Sequence, residues 1–220
     1  MRSLVQLVEG ISFSSVLPKY PAALLCTFPA IFQLLPRSRH APLVEASTMQ
    51  PIPEDILDPE LWERMRWGLA DPREDAMLEV LLPGVKDADG RRRIAIDHLR
   101  KSLRRARQLF AALDSPDSAT PGAPHIHVIV GDAVPTPSVL AVDRTTGKLS
   151  VAATAPGDGT VVRSSTLLDE RVAGEWSPTL RSPVQWGHVT FLFSDHLGLT
   201  RDPAFTDNVL YLLLEQPRIP

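Results

Sequence analysis

"HIHVIVGDAVPTPSVLAVDRTTGKLSVAATAPGDGTVV", residues 125–162, is the stretch that decides the fold class. Its opening "HIHVIVGD" alternates and is rich in β-branched residues, and "SVLAVDRTTGKLSVAA" sets two apolar runs around a Thr-Thr-Gly turn. Residues 125–153 therefore predict a strand followed by a hairpin. Where the hairpin ends, Asp158 stands between Gly157 and Gly159, with Thr160, Val161 and Val162 directly behind it. An acid bracketed by glycines at a strand exit is either a turn residue chosen for its local hydrogen bonds or a carboxylate aimed by a sharp backbone turn.

Working outward, "HVTFLF" (188–193) predicts a buried strand and "SDHLGL" (194–199) a turn. "DPAFTDNVLYLLLEQ" (202–216) predicts a terminal helix, with Asp202 as N-cap and Pro203 at the first position. Upstream, "PEDILDPELWERMRWGLA" (53–70) and "REDAMLEVLLPG" (73–84) carry helical spacing, the second ending at a Pro-Gly stop. Residues 91–113 predict the clearest helix. Ile96, Leu99, Leu103, Ala106, Phe110 and Leu113 form one stripe, and Arg91, Arg92, Arg93, Arg100, Lys101, Arg104, Arg105 and Arg107 make the other face basic. "RSLVQLV" (2–8) opens the chain as a strand-like run with almost no lead-in, so the chain reads as beginning within a domain.

The order strand, helical insertion, strand, hairpin, strand, helix fits an α/β domain with helices packed on a sheet. A length of 220 residues with 44% hydrophobic and 22% charged residues suits one globular domain with a substantial core. The net charge of −3 provides no global basic field for nucleic acid, and no aromatic residues interleave with the arginines of 91–107. That basic face reads first as a solvated surface and second as a peripheral contact with an anionic membrane. The lone Cys26 excludes an internal disulfide and reads as a small buried hydrophobe. "YPAALLCTFPAIFQLLP" (20–36) is broken by Pro21, Pro29 and Pro36, so it predicts buried turns and a short helix rather than a membrane span. Gln6, Glu9 and Gly10 interrupt any signal-peptide core, which makes a cytoplasmic location the expectation.

Asp158 and His196 are the candidate pair. Each follows a predicted strand and lies in a turn among small residues, and functional side chains of α/β sheets gather at the carboxyl ends of strands. An Asp bonded to one imidazole nitrogen sets the tautomer, and the other nitrogen then takes a proton from a nucleophile. The order of acid before histidine is that of α/β-hydrolases, in which the nucleophile comes first. "HIH" (125–127) puts His125 and His127 on one strand face, but no third ligand stands at a recognisable spacing, so no metal is expected. "GDGTVV" has Val162 where a dinucleotide fingerprint needs glycine, and no Walker loop occurs, so no cofactor is expected.

"GDGTV" (157–161), "FLFSDHLGLTRDPAFTDNVLYLLLEQPR" (191–218) and "TFPAIFQLLPR" (27–37) together resemble the carboxyl-terminal half of the lecithin:cholesterol acyltransferase-like family of α/β-hydrolases. The similarity is strongest over 156–218 and 24–37 and weakest in the helical stretch between them. The resemblance implies an α/β-hydrolase-like fold: residues 1–37 as the start of a truncated core, 38–122 as a helical cap insertion, and 123–220 as the carboxyl-terminal core. It implies Asp158 and His196 as acid and base of a Ser-Asp-His triad acting on lipid-like acyl esters.

Such a hydrolase needs a serine on a G-x-S-x-G elbow. No two of the twelve glycines are four apart, so that elbow is absent from these 220 residues. Ser164, Ser165 and Ser194 stand near the pair in sequence, but none is flanked by glycines in that pattern. By the resemblance, the serine belongs to a segment upstream of residue 1. The expected function is the carboxyl-terminal part of a serine esterase or O-acyltransferase, inactive alone; the alternative is a non-catalytic remnant or a module binding acyl chains or a protein. An incomplete sheet would expose an edge, open to a missing amino-terminal half or to self-association.

Overall fold

The computed structural model describes residues 1–12, 18–115, 124–173 and 175–216. They divide into two compact units, Met1–Ser115 with Val139–Ala152 and Val172–Glu175, and Pro116–Ser138 with Ala153–Arg171 and Trp176–Pro220. The chain is of mixed α/β class, with helices and, among the described residues, two small open sheets.

The first unit begins with a helix, α1 (Arg2–Glu9), where a strand was expected. Leu4, Leu7 and Val8 are its buried residues, and that spacing of three and four is helical. Gly10, at φ 78°, ends the helix and donates its N–H to the Gln6 carbonyl. Two single-turn helices follow, α2 (Ala22–Leu25) and α3 (Pro29–Phe32), with Pro29 at the first position of the second. Between them Cys26 is wholly buried, and burial pushes its thiol up to about 12, so it remains protonated and packs as a hydrophobe. A short strand, β1 (Leu43–Glu45), precedes α4 (Pro59–Met65) and α5 (Asp75–Leu81).

The long helix α6 (Ala88–Asp114) starts three residues before the expected position because Asp87 caps it, its Oδ1 accepting from the Gly90 N–H at 2.5 Å. Leu99, Leu103, Ala106 and Phe110 are buried as the stripe predicts; at its ends Ala95 is buried while Ile96 is only half-buried and Leu113 is exposed. Residues within 4–8, 23–35 and 52–110 contribute to one core, in which Trp62 touches both Phe32 and Trp67. On the opposite face of α6, Arg92 pairs with Asp75, Arg100 with Glu63, Arg107 with Asp55 and Lys101 with Asp97. Among the described residues, Arg104 and Arg105 make no ion pair. The basic face is therefore spread largely over carboxylates of the same unit. Asp87→Ala is expected to cost about 1 kcal/mol of stability by removing the N-cap, readable as a lower denaturant midpoint with α6 otherwise retained.

β2 (Ile126–Gly131), β3 (Thr136–Val142), β4 (Leu149–Ala155) and β5 (Trp186–Leu192) are the other strands among the described residues. One sheet has the order β1-β3-β4, with β1 and β3 parallel and Leu43 opposite Leu140. The expected hairpin is β3–β4; Asp143 holds its turn by accepting from the Thr145 and Thr146 N–H groups, and Gly147, at φ 72°, accepts from the Trp67 indole at 2.7 Å.

In the second unit β2 and β5 pair in parallel, with Val130 opposite Phe191 and Gly131 opposite Leu192. The remaining helices are α7 (Arg163–Thr166) and α8 (Pro203–Leu210), the latter capped by Asp202 through the Ala204 N–H and continued by a π-helical turn, Tyr211–Glu215. Neither α8 nor that turn buries a residue, and Leu210, Tyr211, Leu213 and Leu214 are exposed. Among the described residues, no helix is long and apolar enough to cross a membrane.

Candidate functional site

Asp158 and His196 meet in the second unit. The chain leaves β4 through Pro156 and Gly157 and turns back, the Asp158 N–H donating to the Val161 carbonyl at 3.2 Å. Asp158 Oδ1 accepts from the Thr160 N–H at 2.8 Å and the Val161 N–H at 2.7 Å. This is the local turn chemistry expected of an Asx residue, and it leaves Oδ2 free to point elsewhere. Oδ2 lies 2.7 Å from His196 Nδ1.

His196 is delivered by the turn after β5. Asp195 organises that turn, its Oδ1 accepting from the Leu197 N–H at 3.0 Å and the Gly198 N–H at 2.6 Å. The His196 N–H donates to the Asp158 carbonyl at 2.9 Å, so backbone and side chain both tie the two turns together. Gly131, at the end of β2, permits the approach. A Cβ there would lie 2.5 Å from the Ser194 carbonyl oxygen and 2.9 Å from Asp158 Cβ. Sequence reasoning missed Gly131 and Asp195; the available signal for the first was a glycine at the end of the apolar run "VIV", which marks close backbone approach.

The Asp158 side chain is 12% exposed and that of His196 48%. Burial works to raise the Asp158 carboxyl, but the Val161 N–H, the His196 ring and the Thr160 N–H together hold it below the ordinary carboxylate range. Because the folded value lies below the unfolded value of about 3.9, this turn stabilises the fold above that pH and loses its contribution as pH falls through the folded value. A carbon-detected NMR titration of the Asp158 carboxyl should give a midpoint below about 3.9; a midpoint above it would contradict the hydrogen-bond set.

An ionised carboxylate only accepts, so the proton between the pair sits on His196 Nδ1, and in the neutral tautomer Nε2 carries the lone pair. Nε2 makes no hydrogen bond to any described residue. Ser164 and Ser165 lie in α7, and Ser194 Oγ is directed to the Asp195 carbonyl at 3.5 Å; none of the three bonds to His196. Beside the pair, Arg163 forms an ion pair with Asp132 at 3.0 Å and its guanidinium lies over the Phe191 ring. Phe193 and Leu197, close to His196 in sequence, are 90% and 80% exposed.

Of the other sequence candidates, His125 precedes β2, while the His127 ring stands 6.5 Å from that of His188 on the paired strand. Among the described residues, no group of three His, Cys, Asp or Glu side chains is placed to hold a metal ion. In the first unit a cleft of about 180 Å³ is lined by Glu63, Leu69, Asp71, Asp75, Arg92 and Ile96. Its charges are engaged within the protein, Arg92 with Asp75, Arg100 with Glu63 and Arg73 with Asp71, so it offers a ligand little that is unpaired. Compared with known proteins, the chain matches no protein-family model and no curated sequence.

Proposed function

We propose that Asp158 and His196 are the acid and base of a serine-type ester hydrolase or O-acyltransferase of α/β-hydrolase-like architecture, acting on lipid-like acyl esters. The observation that carries this reading is the 2.7 Å bond from His196 Nδ1 to a carboxylate oriented by two backbone N–H groups, with Nε2, on a half-exposed ring, making no hydrogen bond to any described residue. In the reaction, Nε2 takes the proton of a serine hydroxyl as its oxygen attacks the ester carbonyl. The imidazolium, stabilised by Asp158, returns that proton to the departing alcohol. The acyl group left on serine then passes to water or to an alcohol acceptor by the same steps.

The serine comes from outside these 220 residues, which lack the elbow. Sequencing the DNA upstream of codon 1 and reading it in frame tests the proposal. An open frame encoding G-x-S-x-G is the expected result, and a stop codon directly upstream overturns the enzymatic reading. With that segment present, p-nitrophenyl butyrate hydrolysis should fall by several orders of magnitude in His196→Ala.

A second reading, a non-catalytic module that binds acyl chains, is favoured by the exposure of Phe193 and Leu197 on either side of His196 in sequence. Binding of a fluorescent fatty acid by this chain, together with the upstream stop codon, distinguishes it.

A further inference from the structure

We infer that Thr136 is a positioning residue for the pair, its buried hydroxyl setting where the Asp158 turn sits and so whether Asp158 Oδ2 reaches His196 Nδ1. The inference rests on the acid and base reading of Asp158 and His196, and it concerns a residue that touches neither reacting atom.

Thr136 begins β3 and is 1% exposed. Its Oγ1 donates to the Val134 carbonyl at 2.8 Å and accepts from the Gly159 N–H at 2.8 Å. Both capacities of the hydroxyl are therefore used, and the donor bond orients the oxygen lone pair at Gly159. On the other side of Asp158, Gly157 packs bare backbone onto the same side chain: a Cβ there would lie 2.7 Å from Thr136 Oγ1 and 3.0 Å from Thr136 Cβ. The Val134 N–H also donates to the Gly157 carbonyl at 2.9 Å, and Val134 bridges to Asp158 in parallel fashion.

The two residues flanking the acid are thus held from one point, Gly157 by contact and Gly159 by a hydrogen bond. Gly159 has φ 88°, a conformation that L side chains rarely adopt, so the glycine keeps the backbone free to present its N–H to Thr136. Asp158 itself spends Oδ1 on its own turn, which makes the direction of Oδ2 a rigid consequence of where that turn lies. A shift of the turn by a fraction of an ångström lengthens the bond to His196 without altering either catalytic side chain. The sequence did not expose this role, because Thr136 and Gly159 are 23 residues apart and meet only through strand pairing.

The test is the low-field NMR signal of the proton on His196 Nδ1, identified by its loss in His196→Ala. Thr136→Val keeps the shape and removes the hydroxyl; Thr136→Ser keeps the hydroxyl. The expected result is a folded Thr136→Val protein whose low-field signal is lost or broadened, and a Thr136→Ser protein that retains it. A Thr136→Val protein with the signal unchanged overturns the inference. In case Thr136→Val does not fold, amide exchange in the unaltered protein and in Thr136→Ser decides: at least ten-fold slowed exchange of the Gly159 N–H in both is expected, and exchange at the rate of an open chain in either overturns it. Neither readout needs turnover, so a failure of the esterase reading is seen separately from a failure of this one.

Discussion

Trp62→Ala is expected to lower the stability of the first unit by about 3–5 kcal/mol, the largest structural effect of any single truncation described above. The indole is wholly buried in α4, 5.6 Å from the Phe32 ring and edge-on to Trp67 at 5.8 Å. Its Nε1 donates to the Ile56 carbonyl at 2.8 Å, so alanine leaves both a cavity and a buried carbonyl without its partner. Against a total stability of about 5–15 kcal/mol, such a loss leaves the unit marginal. Denaturant unfolding followed by far-UV circular dichroism reads it, since α1 to α6 all lie in this unit. Trp176→Ala is the control: that side chain is 88% exposed, and a change within about 0.5 kcal/mol is expected. Equal effects of the two substitutions would mean that the core is not built around Trp62.

Asp158→Asn should abolish most of the proposed acyl-transfer activity while sparing the fold. With the proposed serine elbow supplied, kcat/KM should fall by about 10⁴-fold, or about 5.5 kcal/mol of transition-state stabilisation. The physical reason lies in the Asp158 turn. Oδ1 accepts from two backbone N–H groups, so an asparagine keeps its oxygen there and turns its NH₂ toward His196 Nδ1. Facing a donor, Nδ1 must become the acceptor, and the ring proton moves to Nε2, where it blocks the position that takes the serine proton. A loss of less than ten-fold, with thermal unfolding unchanged, would mean that the carboxylate does not set the tautomer and that the pair is a structural contact.

Several elements were legible because their signals are local. The spacing of Leu99, Leu103, Ala106 and Phe110 repeats with the helical period over about three turns, and α6 follows it. The runs of 125–132 and 188–193 give strands over 126–131 and 186–192, although the second is not the buried strand expected, with Phe191 and Phe193 exposed, and Asp202 with Pro203 begins α8. At α1 the same reasoning failed. Residues 2–8 are too few to separate the two periods, and only burial of Leu4, Leu7 and Val8 against one core selects the helix. The basic face of α6 was legible as charge, but its pairing with Asp55, Glu63 and Asp75 depends on segments 17 to 52 residues away.

At the candidate site the division is similar. Asp158 and His196 stand out in the sequence because each occupies a turn just after a strand, and turn chemistry is written in neighbouring residues. That His196 Nδ1 lies 2.7 Å from Asp158 Oδ2, across 38 residues, was decided by tertiary structure. The parallel pairing of β2 with β5 aligns Gly131 with Leu192, the missing side chain of Gly131 lets the Ser194 carbonyl and the Asp158 Cβ close in, and Thr136 ties down Gly159. The sequence by itself determined α6, the strands around 125–155 and 188–193 and the capped start of α8, and singled out two candidate side chains, because periodicity and turn propensity act over a few residues. Only the tertiary structure decided their partners, because strand pairing and close backbone approach join positions that no local pattern connects.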